Sequence, residues 1–216
     1  MPIPLYYAAN WKEIVNNTRI RRAQTGFGFY SDGSLRIPER ILPWALCVID
    51  DSVLPAACAE SVQLLAQYCK HGCCLDFERP ITQAHRAFIR LLRQHTSRTE
   101  IFALPARFSG EGMIPVLSCP TPCNCWASFL RNAEARFPAG WMLEVVPWNQ
   151  VVPYSAALSV PVERLADAVC RVERQPHGIR YFDTAETLRG KLALAEAHRC
   201  IAAIGLYGEL NGLPHG

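Results

Sequence analysis

Short apolar runs alternate along the chain with polar turns, and this alternation is the main structural signal of the sequence. Seven of the runs predict buried strands, at Pro4–Ala9, Thr25–Tyr30, Ala45–Asp50, Cys73–Glu78, Glu100–Leu104, Met142–Trp148 and Ile201–Tyr207. An eighth strand is less distinct. We place it within Val151–Leu158, with Ile114–Ser118 and Ile179–Phe182 as alternatives.

Apolar residues recur at helical spacing between most of these runs. The helical segments are 57–70, 81–95, 125–136, 163–173 and a last one that begins near Asp183. Asp183 and Glu186 have the spacing of a capping box, so we expect Asp183 to be the N-cap of the last helix.

Buried strands that alternate with amphipathic helices predict a parallel sheet covered by helices. About eight such βα units favour a closed barrel over an open sheet. We therefore predict a compact α/β protein, a (β/α)8 TIM barrel that forms a single domain over residues 1–216. The chain is short for this fold, so some units must be trimmed, and the first unit has little room for a helix.

Composition and charge narrow the range of partners. Hydrophobic residues make up 50% of the chain and charged residues 19%, as in a packed globular protein. The formal net charge of +3 is too small to indicate nucleic acid. No run reaches the ~18–20 apolar residues of a membrane helix. With no export signal visible, we expect a cytoplasmic location, or an extracellular one if a leader has been removed.

Cysteine is abundant, with ten residues that we expect to be reduced thiols. Cys119, Cys123 and Cys125 lie within seven residues, but a zinc site there needs a fourth ligand from elsewhere in the chain. We therefore expect no metal and no other cofactor. The oligomeric state is left open by the sequence.

The segment His71–Pro80 carries the most informative chemistry. Strand alternation places Cys74, Asp76 and Glu78 on one face, at the carboxyl end of a strand. In a barrel that end faces the mouth, where active sites are found. Carboxylates at this spacing lie roughly 6–7 Å apart at Cα, so their charges couple and one can hold a proton. The alternative is that Asp76 and Glu78 cap the next helix or pair with Arg79 or Arg107.

The same segment resembles the D-G-x-D-x-D-x-E signature on the fourth strand of family 18 (chitinase-like) glycoside hydrolases. Gly72, Asp76 and Glu78 match that signature, whereas His71 and Cys74 stand where the family has aspartates. Other stretches resemble the family in the expected order. They are Gly26–Phe29 with Asp32–Leu35 (second strand), Ile101–Ala106 (fifth strand), Leu143–Asn149 (sixth strand) and Tyr181–Lys191 with Ile204–Tyr207 (closing helix and last strand).

The resemblance implies a carbohydrate substrate and a retaining mechanism in which the 2-acetamido group of the sugar is the nucleophile. Glu78 would protonate the leaving oxygen and later deprotonate water, and Asp76 would orient the acetamido N–H. Trp148 would flank the sugar and Asn149 would hydrogen-bond to it, although a packed barrel aromatic is an equal interpretation of Trp148. Tyr207 stands where the family usually has Trp.

The departures from the family pattern leave three functions open. Cys74 is a poor substitute for a carboxylate, which favours a glycan-binding barrel without catalysis, while the retained Glu78 favours a hydrolase. Asp50 and Asp51 end the third strand and are candidates for a substitute acid, or for a turn or helix cap. An unrelated barrel enzyme that uses a divalent metal is the third possibility.

Overall fold

Twelve strands occur in the part of the chain that the computed structural model describes, namely residues 3–54, 59–96, 101–120, 126–157 and 169–213. They are β1 (Leu5–Ala9), β2 (Arg21–Phe29), β3 (Leu35–Arg36), β4 (Leu46–Asp50), β5 (Cys73–Asp76), β6 (Phe102–Pro105), β7 (Ile114–Ser118), β8 (Trp141–Val145), β9 (Asn149–Pro153), β10 (Arg171–Gln175), β11 (Gly178–Phe182) and β12 (Cys200–Leu206). The helices of these residues are α1 (Trp11–Ile14), α2 (Ala59–Tyr68), α3 (Gln83–His95), α4 (Trp126–Arg136), α5 (Tyr154–Ala157), α6 (Ala185–Ala197) and α7 (Tyr207–Asn211).

Eight of the strands form the barrel that the sequence predicts. Their order is β1, β2, β4, β5, β6, β7, β8 and β12, and it closes because β1 neighbours both β2 and β12. The pairs β1–β2, β2–β4, β4–β5, β5–β6, β6–β7 and β8–β12 are all parallel. The (β/α)8 TIM barrel class is therefore confirmed.

The strand that is least distinct in the sequence is β7, Ile114–Ser118, the sixth strand of the barrel. The expected position within Val151–Leu158 is wrong. Asn149–Pro153 belongs instead to a three-stranded antiparallel sheet with β10 and β11, and Leu158 lies outside the described residues. The physical reason is exposure: four of the five residues of β9 face solvent, which a barrel strand covered by helices does not permit.

This sheet corrects two further expectations. The alternative strand Ile179–Phe182 lies in β11, outside the barrel. The predicted helix 163–173 ends in β10, while its residues 163–168 lie outside the described part of the chain. Because β7 is the sixth barrel strand, β8 is the seventh, so the resemblance of Leu143–Asn149 to a sixth strand is displaced by one position.

Three βα units are shortened, which explains how a barrel fits into 216 residues. The helix of the first unit, α1, has four residues, as the limited room in the sequence predicts. No helix lies between β2 and β4, or between β6 and β7, both of which are fully described connections.

The chain comprises two compact units. The N-terminal unit is Tyr6–Val116, and the C-terminal unit is Met1–Leu5 together with Leu117–Gly216. The single domain over residues 1–216 stays a prediction.

The core of the N-terminal unit is rich in phenylalanine. Phe29 meets Phe88 edge to face at 5.6 Å between ring centroids, and Phe77 meets Phe108 in the same way at 5.5 Å. Such pairs stabilise by about 0.5–1.5 kcal/mol beyond their burial. The core also takes Cys73 and Leu75 from β5, and Phe77 from the residue just beyond it, as alternation predicts.

Gly72 sets the start of β5, and we expect Gly72→Ala to destabilise the protein. Its φ of +108° strains any other residue, and an added Cβ would lie 2.9 Å from the carbonyl oxygen of Ile101. We expect a loss of about 2 kcal/mol in the free energy of unfolding, measured by urea denaturation. Gly208→Ala is the matched control, since its Cβ would meet nothing within 4 Å. Equal stability of the two variants would contradict this account of Gly72.

Candidate active site

Acidic side chains end two neighbouring parallel strands of the N-terminal unit. Asp50 is the last residue of β4 and Asp76 the last residue of β5, and the two are paired in register. Adjacent strands lie about 4.8 Å apart, so these residues are direct neighbours at the carboxyl edge of the sheet. In a (β/α)8 barrel this edge carries the active site.

Asp76 and Glu78 are both exposed, while Leu75 and Phe77 beside them are buried. The sequence predicts a strand that extends to Glu78, but β5 ends at Asp76. The in-and-out alternation nevertheless continues through the turn, because Phe77 is held in the aromatic core. Two carboxylates thus face solvent from the same stretch of chain, two residues apart.

Asp51 fixes the backbone that carries Glu78. Its carboxylate accepts hydrogen bonds from the backbone N–H of Glu78 at 3.2 Å and of Arg79 at 3.0 Å. The side chain of Asp51 is only 4% exposed. Asp51 therefore holds the segment that follows β5 through long-range hydrogen bonds rather than a turn of its own, and it positions the residue that the sequence marks as the acid.

His85 completes the support of this segment from helix α3. The backbone N–H of Thr82 donates to Nδ1 of His85 at 3.2 Å, so the neutral ring carries its hydrogen on Nε2. Nε2 lies 3.1 Å from Oδ2 of Asp51 and donates to it. His85 is not among the site residues that the sequence predicts. The signal was present as Thr82-x-x-His85, because Thr82 is the N-cap of α3 and His85 closes its capping box.

The same capping arrangement excludes a helix-cap role for the two exposed carboxylates, and their pairing with Arg79 or Arg107 stays an alternative. Because Thr82 caps α3, neither Asp76 nor Glu78 serves as its N-cap. Arg107 donates from its guanidinium to the carbonyl oxygen of Phe77, and its charge lies 5.0 Å from the ring of Phe108. A cation therefore lies beside the turn that bears Glu78.

Hydrogen bonding lowers the pKa of Asp51. Burial by itself raises this pKa, but the hydrogen bonds from His85 and from the amides of Arg79 and Glu78 outweigh it. The ionised carboxylate therefore stabilises the fold above the unfolded pKa of about 3.9, and the contribution is lost as the pH falls through the lower folded pKa.

We expect Asp51→Asn to lower the free energy of unfolding by about 1–3 kcal/mol at neutral pH, because a charged acceptor of three hydrogen bonds becomes neutral. The deficit relative to wild type shrinks below a pH of about 3.9. Denaturant titrations at several pH values measure both effects. Glu111→Gln, which neutralises an exposed carboxylate, is the control for the loss of a charge. A deficit that does not change with pH would refute the ionic role of Asp51.

Asp50 is held by an arginine from the hairpin of β2 and β3. Arg36 donates to Oδ2 of Asp50, and Ser52 donates its backbone N–H to Oδ1 at 3.0 Å. Gly28 makes room for this pair, since a Cβ there would lie 2.7 Å from the Arg36 guanidinium. Asp50 is thus a partly exposed neighbour of Asp76, paired with Arg36. Its role as a substitute acid stays a prediction.

Cys74 is buried within β5, two residues before Asp76. Its neighbours in register are Val48 of β4 and Ala103 of β6. Apolar residues thus flank Cys74 on both neighbouring strands, at the position where the family has a second aspartate.

Trp148 belongs to the C-terminal unit, where it is buried. It is 4% exposed, its indole N–H donates to the carbonyl oxygen of Pro120 at 2.7 Å, and Nζ of Lys191 lies 3.4 Å from its ring centroid. The Asp183 carboxylate accepts from the backbone N–H of Trp148 and from Lys191, each at 2.7 Å. These contacts favour the packed aromatic among the two interpretations of Trp148.

The ion pair of Asp183 also corrects the expected cap of the last helix. The N-cap of α6 is Thr184, and Thr187 takes the place expected for Glu186 in the capping box. Asp183 is displaced from the cap because its carboxylate is bound by Lys191, Trp148 and the hydroxyl of Thr187.

The two remaining residues predicted to contact a sugar, Asn149 and Tyr207, are at least partly exposed to solvent. Asn149 is exposed and its side-chain oxygen accepts from Nε of Arg180 at 3.0 Å. Tyr207 is half-buried and directly follows β12, at the carboxyl end of that strand. Contact of either residue with a sugar stays a prediction.

The cysteine-rich run is only partly described. Burial raises the pKa of the Cys119 thiol to about 11, while Cys123 and Cys125 lie outside the described residues. Among the residues that are described, no group of three His, Cys, Asp or Glu side chains is arranged to hold a metal ion.

Within the same ranges, no helix has the length and apolar character needed to cross a bilayer.

No protein-family model matches the chain, and no curated protein matches it in sequence. Solved structures do match. The spore cortex-lytic enzyme SleL of Bacillus cereus aligns with a TM-score of 0.58 at 12% identity, over 99% of this chain and 72% of that one. SleL of Bacillus megaterium QM B1551 aligns with a TM-score of 0.56 at 11% identity, over 99% of this chain and 71% of that one.

A class V chitinase from Pseudomonas fluorescens Pf-5 also aligns, with a TM-score of 0.47 at 14% identity over 97% of this chain and 96% of that one, and we draw nothing from it. At identities of 11% and 12%, the likeness to the two SleL enzymes concerns the fold alone. The chain therefore shares its (β/α)8 barrel with two cortex-lytic enzymes.

Proposed function

We propose that the protein is a glycoside hydrolase of the chitinase-like type, acting on glycans that contain N-acetylglucosamine. The observation that carries this proposal is the pair of exposed carboxylates, Asp76 and Glu78, at the carboxyl end of the fourth barrel strand. The barrel shared with the SleL enzymes and the match of Gly72, Asp76 and Glu78 to the family signature support it.

In the proposed mechanism Glu78 is the general acid. It donates a proton to the glycosidic oxygen as the acetamido oxygen of the substrate attacks the anomeric carbon, which releases the leaving sugar as an alcohol. Glu78, now ionised, then removes a proton from water, and the water oxygen opens the cyclic intermediate. The anomeric configuration is retained because displacement occurs twice.

Asp76 accepts a hydrogen bond from the acetamido N–H and stabilises the positive charge of the cyclic intermediate. Asp51 contributes by positioning, since its two bonds to the backbone of Glu78 and Arg79 set the point from which the acid projects. Asp50, paired with Arg36, is a further carboxylate in register beside Asp76. Asn149 and Tyr207 are the proposed polar and aromatic contacts of the sugar.

Hydrolysis of fluorogenic N-acetylglucosamine oligomers by the whole chain tests this proposal. We expect turnover that persists in the presence of a chelator, with a product whose anomeric configuration, followed by proton NMR, is that of the substrate. Inversion would exclude the mechanism. Activity that is lost with the chelator would favour the metal-dependent barrel enzyme instead.

The second candidate is a glycan-binding barrel without catalysis. The observation that favours it is the buried thiol of Cys74, which stands where the family has an acid next to Asp76. Oligomers that bind in calorimetry but are not cleaved would support this candidate and exclude the first.

A further inference from the structure

A groove lies on the outside of the N-terminal unit, between α3 and the connection Ala106–Met113 that joins β6 to β7. In a regular barrel this connection would contain a helix, and here none is present in its fully described length. The groove has a volume of about 390 Å³. Half of its lining residues lie on the side of α3, whereas the candidate active site lies at the carboxyl ends of strands.

Arginine dominates the polar lining of the groove. Arg86, Arg90 and Arg93 follow one another at i, i+4 and i+7 on α3, so they form a stripe along one side of that helix. Arg107 adds a fourth guanidinium from the connection. The lining contains no acidic residue.

This concentration of charge is not balanced by the protein in its described part. Helix α3 contains no Asp or Glu, and none of the four arginines forms an ion pair with a described residue. Like charges at i and i+4 destabilise a helix by roughly 0.2–0.5 kcal/mol per pair. An anion bound between the arginines would attract both guanidinium groups and so offset their mutual repulsion.

Two of the arginines are already held in place. Arg93 donates to the carbonyl oxygen of Gly112 at 2.8 Å and stacks on Phe102 at 5.2 Å, while its buried Nη1 has no hydrogen-bond partner among the described residues. Arg107 is fixed by its bond to Phe77. Guanidinium groups held in this way bind an oxyanion with little further loss of side-chain entropy.

Besides the arginines, the lining has two neutral polar residues, Gln94 and Ser109, and four apolar ones. Ile81, Ile89, Phe108 and Met113 lie between or beside the arginines. A bare inorganic anion would leave this surface in contact with water. The lining therefore suits a ligand that combines an oxyanion group with an apolar body, and the volume is at the lower end of the roughly 300–1,000 Å³ of small-molecule sites.

We propose that this groove binds a small organic phosphate, with the phosphate on the arginine stripe and the apolar body on Ile89, Phe108 and Met113. Phosphate is favoured over a single carboxylate because its dianion offers three oxygens, which match guanidinium donors from more than one arginine. The proposal does not rest on the glycoside hydrolase activity, since its test measures binding alone, although Arg107 contacts the segment between Asp76 and Glu78 through Phe77.

Calorimetric titration of the whole chain with 1-naphthyl phosphate at low salt tests the proposal. Inorganic phosphate supplies the charge alone, and 1-naphthol supplies the apolar body alone. We expect 1-naphthyl phosphate to bind at least tenfold more tightly than either of them, because both parts of the groove are then occupied.

The double variant Arg86→Gln, Arg90→Gln is expected to weaken the binding of 1-naphthyl phosphate at least tenfold. Both residues are exposed, so the fold should be retained, as circular dichroism will verify. Arg131→Gln, which removes an exposed arginine from α4, is the matched control and should leave binding unchanged. Absence of saturable binding, unchanged affinity in the double variant, or equal affinity for inorganic phosphate would each overturn the proposal.

Discussion

Glu78→Gln should reduce the hydrolysis of N-acetylglucosamine oligomers by about 10²–10⁴-fold, the usual contribution of a positioned general acid. Glutamine retains the size of the side chain but has no acidic proton to deliver to the leaving oxygen. The backbone bonds from Asp51 do not involve the Glu78 side chain, so they should persist in the variant. The loss should therefore reflect proton transfer rather than a displaced turn.

Substrates with two different leaving groups test whether Glu78 acts as the proton donor. A fluorogenic phenol leaves with less help from an acid than a sugar hydroxyl does, so the variant should lose less activity on the aryl substrate than on the natural linkage. Glu60→Gln, an exposed position in the first turn of α2, is the control for the substitution. Equal losses on both substrates, or activity equal to wild type, would remove Glu78 from the acid role.

The second large effect is expected in the C-terminal unit, where Lys191→Met should lower the free energy of unfolding by about 3–5 kcal/mol. Lys191 and Asp183 form an ion pair whose side chains are 1% and 2% exposed. Removal of the ammonium leaves the buried carboxylate of Asp183 without its counter-ion, although Trp148 and Thr187 still donate to it. For a chain of this size we expect the melting temperature to fall by roughly 2–4 °C per kcal/mol.

A double variant separates the charge from the packing. Lys191→Met combined with Asp183→Asn removes both charges, so it should be less destabilised than Lys191→Met alone. Arg171→Gln is the exposed counterpart, since its partner Glu186 is 59% exposed, and it should change stability by no more than about 0.5 kcal/mol. A double variant that is less stable than Lys191→Met would contradict the burial of an uncompensated charge.

Most of the correct predictions from the sequence rest on the alternation of apolar and polar residues along strands. In β5 the contrast between buried Leu75 and Phe77 and exposed Asp76 and Glu78 follows directly from the period of two, and it survives even where the strand has ended. The barrel class followed from the same signal, because apolar runs separated by helical patterns have few ways to bury both faces of a sheet.

The predictions from the sequence were wrong where tertiary contacts override the local pattern of residues. Val151 and Val152 suggest a strand, and they do form one, but nothing local shows that β9 pairs with β11 outside the barrel. Asp183 has the spacing of a helix cap, and only the buried Lys191 eight residues later takes it away from that position.

The support of the candidate acid was hidden for a similar reason. Asp51, His85 and Glu78 come from three different elements, and their hydrogen bonds span 27 and 34 positions of the chain. A motif confined to ten residues identifies the carboxylates of β5 but not the residues that hold them in position.

The continuity of the N-terminal unit bears on how the protein is made. Tyr6–Val116 is one uninterrupted segment that contains the phenylalanine core, the carboxylate pair, the turn held by Asp51 and the arginine groove. Chains emerge from the ribosome in order, and structural units generally fold as they appear. All the groups that we assign to proton transfer and to phosphate binding are therefore synthesised before Leu117, so ribosome-bound chains that stop soon after this point already contain every one of them.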